Sequence, residues 1–266
     1  MAKLLVTGAS GFLGRALVAR AAASGWEVAG MTSATDVRDV AAVGARLRDE
    51  RPDAVVHTAY VQHGEAAMAV NAGGAANVAA AAAAVGARLV HLSTDVIFAG
   101  DGAAPLREED AVRPVTEYGA TKAAAEPLVL AADPGALLVR TSLLLGGPGH
   151  EPSGHERLAL AAARGEEDVA FFTDEVRSPI QVDDLAAALL ELAARRELRG
   201  PLHVGGADAV SRFELASLVV ASYGLDPGVL RGRPAPPDRP RSCALDSSRA
   251  AAVLTARPRG ARELFG

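Results

Sequence analysis

The chain has 266 residues, half of them hydrophobic and 22% charged, with a net charge of −5. That balance fits a soluble protein of one α/β unit plus a small lobe, with no apolar run long enough to span a membrane; an acidic chain whose arginines are not interleaved with aromatics argues against nucleic-acid binding. The single cysteine, Cys243, precludes an intrachain disulfide, fits a reducing cytoplasm and lies in no pattern that suggests a nucleophile.

Residues 3–7, Lys-Leu-Leu-Val-Thr, are a short run of strand formers and predict a buried parallel strand. The run is too short for a signal peptide and leads straight into glycines at 8, 11 and 14. Residues 15–20 carry a helical pattern that stops at Ser24-Gly25, where glycine takes the left-handed cap. Strand, glycine turn and helix in this order are the context of a dinucleotide site. Gly8 permits the tight turn, Gly11 lets the backbone approach a pyrophosphate, and Gly14 lets the helix pack on the sheet. Free N–H groups at the helix start then face the phosphates. Gly8, Ser10, Gly11, Phe12, Leu13 and Gly14 are the candidate cofactor-binding residues of this turn.

The next strand covers residues 26–31. An acid near its end would bond an adenosine 2′-hydroxyl, but the chain reads Met31-Thr32-Ser33, with no carboxylate before Asp36. Thr32 and Ser33 suit a 2′-phosphate that Arg15 helps neutralise, a slight preference for NADP(H) over NAD(H). Asp36, beside Val37, is placed to approach the adenine. Residues 87–95 predict a strand ending in the hydroxyls Ser93 and Thr94, at the edge where α/β enzymes place chemistry. A helix over residues 117–130, kinked or interrupted at Pro127, puts Tyr118 and Lys122 on one face. An ammonium beside the phenol is expected to lower its pKa from about 10. Tyr118 can then exchange a proton near neutrality, while Lys122 also reaches the nicotinamide ribose.

Strands and helices alternate to about residue 145, which predicts a doubly wound parallel Rossmann sheet with a smaller C-terminal α/β substrate lobe. The division is 1–145, the dinucleotide-binding core, and 146–266, the C-terminal part. In the second part a loop opens at residues 146–149. Helices are predicted over 158–164, 184–195 and 213–223, the last opened by a capping box at Ser211 and Glu214, and a strand over 201–204. Residues 228–266 hold eight arginines against three carboxylates. Guanidinium forks match phosphate oxygens, which makes Arg239, and after it Arg177 and Arg241, candidates for a substrate diphosphate. His150-Glu151 and His155 resemble a zinc motif, but the spacing is H-E-x-x-x-H and Pro152 and Gly154 oppose one continuous helix, so no metal site is expected. His57 and His91 read as structural residues of the strands.

Several stretches in order give the chain a specific likeness. These are the glycine turn, Asp36-Val37-Arg38-Asp39, Thr58-Ala59-Tyr60, Val70-Asn71-Ala72, the run Leu92-Ser93-Thr94-Asp95-Val96-Ile97-Phe98-Ala99-Gly100, Tyr118 to Glu126, and Arg140-Thr141-Ser142. Asp184-Leu185-Ala186, Arg239-Pro240 and Leu245-Asp246 extend it to nearly the whole length. The chain resembles an extended short-chain dehydrogenase/reductase of the dTDP-4-dehydrorhamnose reductase group. The resemblance implies a catalytic set of Thr94, Tyr118 and Lys122, with hydride delivered to C4 of a nucleotide-linked 4-keto-6-deoxysugar and the proton supplied by Tyr118. It places Thr58, Ala59, Tyr60 and Asn71 along the cofactor and Thr141 near its carboxamide, and it makes 146–266 mainly the substrate-binding lobe, with some segments returning to the core. Val96 stands where that group commonly has a tyrosine near the sugar, and Arg177 where a glycine is usual. Two further readings use the same residues: a nucleotide-sugar epimerase or dehydratase that retains NAD, and a non-catalytic cofactor-binding regulatory subunit. The identity of the sugar and the oligomeric state, a homodimer included, stay open.

Overall fold

The computed structural model describes residues 1–102 and 105–266. The chain alternates β1 (Lys3–Thr7), α1 (Phe12–Ala23), β2 (Glu27–Met31), α2 (Val40–Glu50), β3 (Ala54–His57), α3 (Ala75–Ala84), β4 (Arg88–Thr94), α4 (Glu117–Ala132) and β5 (Leu137–Thr141). There follow β6 (Leu144–Leu145), α5 (Gly154–Ala163), β7 (Ala170–Phe172), β8 (Val176–Arg177), β9 (Ile180–Gln181), α6 (Val182–Ala193) and β10 (Gly200–His203). The chain ends with β11 (Val210–Ser211), α7 (Arg212–Ser222), β12 (Arg231–Arg233), α8 (Ser248–Val253) and α9 (Ala261–Phe265). The main sheet has the order β10-β5-β4-β3-β1-β2, and every pairing in it is parallel.

Alternation along the strands sends Leu4 and Val6 to one face and Leu5 to the other. Both faces are covered, which is why the strands read as continuous apolar runs. One core joins Leu4, Val6, Leu17, Val56, Val90 and Leu189, so α1 and α6 share a face. The other joins Leu5, Val55, Leu89 and Leu138 to α2, α3 and α4. A third core, with Leu160, Phe171, Leu215 and Val219, belongs to the C-terminal lobe. The lobe is therefore not contiguous in sequence: α6 and β10 return to the main sheet, β10 pairing with β5. Among the described residues no helix is long and apolar enough to cross a membrane.

β1 lies between β2 and β3, so the chain reverses direction across the sheet there and opens a crevice at the strand C-termini. Gly8 sits in it with φ of 68°, and a Cβ there would stand 2.8 Å from the Ala59 nitrogen. Gly14 is tighter still, since its Cβ would lie 2.1 Å from the Gly8 carbonyl oxygen. Gly14→Ala is expected to push α1 off the turn, lower Tm and weaken dinucleotide affinity by about tenfold or more, since a displacement of 1.4 kcal/mol already amounts to that; calorimetric titration checks it.

Helix boundaries differ from the sequence expectations where caps decide. α4 runs unbroken through Pro127, which is exposed, so the carbonyl one turn earlier that loses its donor can face water. α5 begins earlier than expected because Ser153 and Glu156 form a capping box. At α7 Ser211 accepts from the Glu214 N–H at 3.0 Å, as expected, while the Glu214 carboxylate turns to Arg262. A π-helical turn, Ala69–Gly74, precedes α3 without a sequence signal.

Candidate functional site

The N-cap of α1 is Gly11, whose missing side chain leaves the first helical N–H groups without a cap. Gly11 N–H donates to the Gly8 carbonyl at 2.9 Å, closing the turn beneath them. This is a cradle for an anionic group, and its glycines fit the phosphates of a dinucleotide. Leu13 and Val37 send their side chains into the two cores, so only their backbones remain for a ligand. The wall across the crevice is Thr58 and Ala59. Thr58 Oγ1 donates to the Thr7 carbonyl at 2.7 Å, and the Ala59 N–H reaches Thr7 Oγ1 at 3.4 Å. Beyond β2, Arg38 grips the carboxylate of Asp36, the residue expected near the adenine, at 2.6–3.0 Å and holds its pKa down at about 2. Arg15, expected near a 2′-phosphate, pairs instead with Glu151 at 2.6 Å.

The residues expected to be catalytic lie at the end of β4 and in the first turns of α4. Thr116 caps α4 by accepting from the Gly119 N–H at 3.0 Å. Gly119 is required here, because a Cβ would stand 2.1 Å from the Val96 carbonyl oxygen. That close approach docks the first turn of α4, carrying Tyr118, on the turn that follows Thr94. Lys122 follows one turn later and is buried. The Tyr118 ring is half-buried and packs at 5.7 Å on Tyr60, whose ring is 54% exposed. Thr141 is the β5 partner of Thr94, and its hydroxyl donates to the Val204 carbonyl at 2.7 Å.

Asn71 works inside the protein. Its amide accepts from Val61 N–H and donates to the Val61 carbonyl and to Thr121 Oγ1, each at 2.8 Å. Thr121 in turn donates to the Tyr118 carbonyl at 2.8 Å. Asn71 thus ties the Tyr60 segment to α4 from a π-helical turn, the kind of distortion that clusters at functional sites.

Burial, not the lysine, dominates the phenol. Desolvation pushes the Tyr118 pKa up, and Tyr60 and Asp95 add to it, so the expected lowering by Lys122 does not occur in this state. Lys122 itself is brought down to about 8 by burial, opposed by Glu126. Glu126 accepts from Ser93 Oγ at 2.7 Å and takes the Arg140 guanidinium at 2.7 and 3.0 Å. Below Lys122, His57 bonds Thr7 at 2.6 Å and stacks on His91 at 5.2 Å. Burial lowers His57 to about 3 and His91 well below its usual value, with Lys122 adding to both. His155 is also lowered to about 3 by burial, with Arg212 its nearest cation at 2.9 Å. Between about pH 6.5 and pH 3 the unfolded chain therefore binds more protons at these groups than the folded one. The contribution of these histidines is full above pH 6.5 and falls below it, by about 1.4 kcal/mol per pH unit for each group. Urea midpoints measured down to about pH 4 are expected to fall with this slope and to be flat between about pH 6.5 and 7.5, below the range in which Lys122 titrates.

The charged residues of the lobe do not stand free. Arg177 is buried and pairs with Asp95 at 3.1 Å and Glu175 at 3.1 Å. Glu175 also takes both nitrogens of the half-exposed Arg239, at 2.9 and 3.0 Å. Arg241 pairs with Asp174. Arg177, expected at the substrate, is an internal ion-pair residue. The two histidines of the zinc-like string part company: His150 meets Asp183 at 2.8 Å, and the half-buried His155 meets Arg212 at 2.9 Å. Between them Glu156, fully buried, accepts from Gly146 N–H, Gly147 N–H and Ser153 N–H at 2.7–2.9 Å and so pins both ends of the 146–153 loop.

No site role followed from the sequence for Asp95, Glu126, Ser142, Glu156 or Glu175. Asp95, Glu126 and Ser142 stood only in matching strings, although Glu126 also lies one turn beyond Lys122 as Lys122 lies beyond Tyr118; Glu156 stood only beside the zinc-like string, and Glu175 had no signal.

A glycine cradle at the switch point of a parallel sheet, together with a helix that carries a half-buried tyrosine and a buried lysine one turn apart, is the architecture of an extended short-chain dehydrogenase/reductase, an NAD(P)-dependent oxidoreductase of the sugar-nucleotide group. The family model described as RmlD substrate binding domain matches residues 2–264, and the chain belongs to that family. It is 39% identical over 264 residues to the dTDP-4-dehydrorhamnose reductase of Mycolicibacterium smegmatis, covering 94% of this chain and 79% of that one. It is 30% identical over 278 residues to the methionine adenosyltransferase 2 subunit beta of Bos taurus, covering 93% and 81%. Among solved structures, the dTDP-4-dehydrorhamnose reductase of Bacillus anthracis in complex with NADP superposes with a TM-score of 0.88 at 25% identity, covering 100% of this chain and 96% of that one.

Proposed function

We propose that the protein reduces a nucleotide-linked 4-keto-6-deoxysugar at C4, with Thr94, Tyr118 and Lys122 as its catalytic set. The relative from Mycolicibacterium smegmatis carries the name of such a reductase. The observation that carries the reading is geometric: the close approach of Gly119 to the Val96 carbonyl docks the first turn of α4, with Tyr118, on the turn that follows Thr94, and Lys122 is buried one turn further along. Bound reduced nicotinamide supplies the hydride. Tyr118 donates its O–H to the sugar oxygen as charge develops there, and the Thr94 hydroxyl orients the same oxygen. Lys122, buried one turn along α4 from Tyr118, would stabilise the resulting phenolate and is the residue that would hold the ribose. Gly8, Gly11 and Gly14 seat the diphosphate on the start of α1, with Thr58, Ala59 and Tyr60 along its opposite wall.

Asp95 favours reduction over dehydration. An elimination needs a free acid beside the hydroxyl, and here both carboxylate oxygens are engaged by Arg177, Ser142 and Thr94. Thr32 and Ser33, with the Asp36 carboxylate taken by Arg38, support NADP(H) ahead of NAD(H). The test is decay of the reduced-nicotinamide absorbance with NADPH, then NADH, across a panel of nucleotide 4-keto-6-deoxysugars. Decay that depends on one sugar supports the reading and ranks the cofactors. Cofactor bound without net consumption on any sugar would shift the function to a redox-neutral or regulatory one.

A further inference from the structure

We propose that Arg177 is a positioning residue that acts through Asp95 on the Thr94 hydroxyl and does not hold the substrate. The proposal rests on the reductase reading above. Arg177 lies on β8, in the lobe, while Asp95 follows β4 in the core, so the pair crosses between the two. Both side chains are 2% exposed, which leaves the guanidinium no face for a substrate phosphate.

The orientation of each contact can be followed. Ser142 Oγ accepts from the Ser178 N–H at 3.2 Å, so its own proton is directed to Asp95 Oδ2, at 2.5 Å. Asp95 Oδ1 is shared: Arg177 Nη1 stands 3.1 Å away and Thr94 Oγ1 3.3 Å away. Thr94 Oγ1 also lies 3.4 Å from the Val96 N–H. The cation acts on Oδ1 by charge alone: Nη1 stands at ion-pair distance but makes no hydrogen bond, and in a buried setting its attraction is little screened. The Thr94 contact is long for an O–H donor. The hydroxyl is therefore aligned but loosely held, and its proton can turn to a substrate oxygen at little cost. Without the guanidinium, Oδ1 keeps Thr94 as its neighbouring donor and captures that proton. A buried pair retained only for stability has little to recommend it over apolar packing of similar volume; this one sits directly against a reacting group.

The test compares the parent with Arg177→Met, Arg177→Lys and the double variant Arg177→Met/Asp95→Asn. The assay is steady-state turnover with reduced cofactor carrying hydrogen or deuterium at the transferred position. In Arg177→Met kcat is expected to fall about ten- to hundredfold, as for a small misplacement of a reacting group. KM is expected to stay within about twofold, and the primary isotope effect to rise as hydride transfer becomes limiting. Arg177→Lys is expected to restore part of kcat. The double variant, with no unpaired charge buried, is expected to fold and stay slow. A raised KM with kcat kept would make Arg177 a substrate ligand. A rate that only tracks the folded fraction, with an unchanged isotope effect, would make it structural; either result overturns the proposal. If the parent turns over no sugar of the panel, the functional reading fails on its own, and a crystal structure of Arg177→Met then decides. Thr94 turned onto Asp95 supports positioning; Thr94 in its parent rotamer overturns it.

Discussion

Tyr118→Phe is expected to lower turnover by about 10²- to 10⁴-fold, the range of a positioned proton donor, while dinucleotide affinity stays close to that of the parent. The ring keeps its packing on Tyr60, and α4 keeps its Thr116 cap and its contact through Gly119, so the fold loses little. The cradle is on β1 and α1, separate from the altered helix. Burial holds the phenol protonated, so the variant removes the group that gives up a proton and leaves the surrounding packing in place. Stopped-flow reduction and a fluorescence titration of the cofactor check the two halves separately. Turnover retained in this variant would remove Tyr118 from the reaction.

Glu126→Leu is expected to destabilise the fold by about 3–5 kcal/mol, the cost of stranding one member of a buried ion pair. Globular domains carry about 5–15 kcal/mol in total. Arg140 would lose both of its bonds to the carboxylate, keeping only the Glu108 carbonyl at 2.9 Å and the face of Phe98 at 5.3 Å. Ser93 would lose its acceptor as well. Replacing both partners, Glu126→Leu with Arg140→Met, is expected to recover most of the loss. Urea unfolding measures each. Glu126 also offsets the burial of Lys122, so in Glu126→Gln the lysine is expected to titrate at lower pH than in the parent, and the activity profile to move to lower pH with it.

The class of fold and the glycine turn at the start of α1 were legible because they depend on local rules. A buried parallel strand writes a short apolar run, as residues 3–7 do, and a turn that closes under a helix must use glycine where a Cβ has no room, as at Gly8 and Gly14. The placement of Tyr118 and Lys122 one turn apart on one helix was legible for the same reason: a spacing of four on a helix is a statement about geometry. What the sequence did not give was partnership across the chain. Arg177 and Arg239 look alike in a string of letters, yet one is buried against Asp95 and the other half-exposed on Glu175. The influence of a lysine on a phenol was overridden by burial, a property of the assembled core. Pro127 was expected to bend its helix, but it lies on the exposed side, where the helix can continue.

Glu156 has a consequence for how such proteins diversify. One buried carboxylate receives the N–H groups on both sides of the 146–153 loop, while the loop itself reaches Arg15 on α1 through Glu151 and Asp183 on α6 through His150. Entry and exit are fixed independently of what lies between them, so the segment behaves as a cassette clipped into a socket. Doubling the length of such a loop costs only about 0.6 kcal/mol in closure entropy. Its composition can therefore drift or be exchanged under selection while the three cores, the cradle and the Tyr118 helix stay untouched, leaving the scaffold and the variable segment free to evolve at different rates.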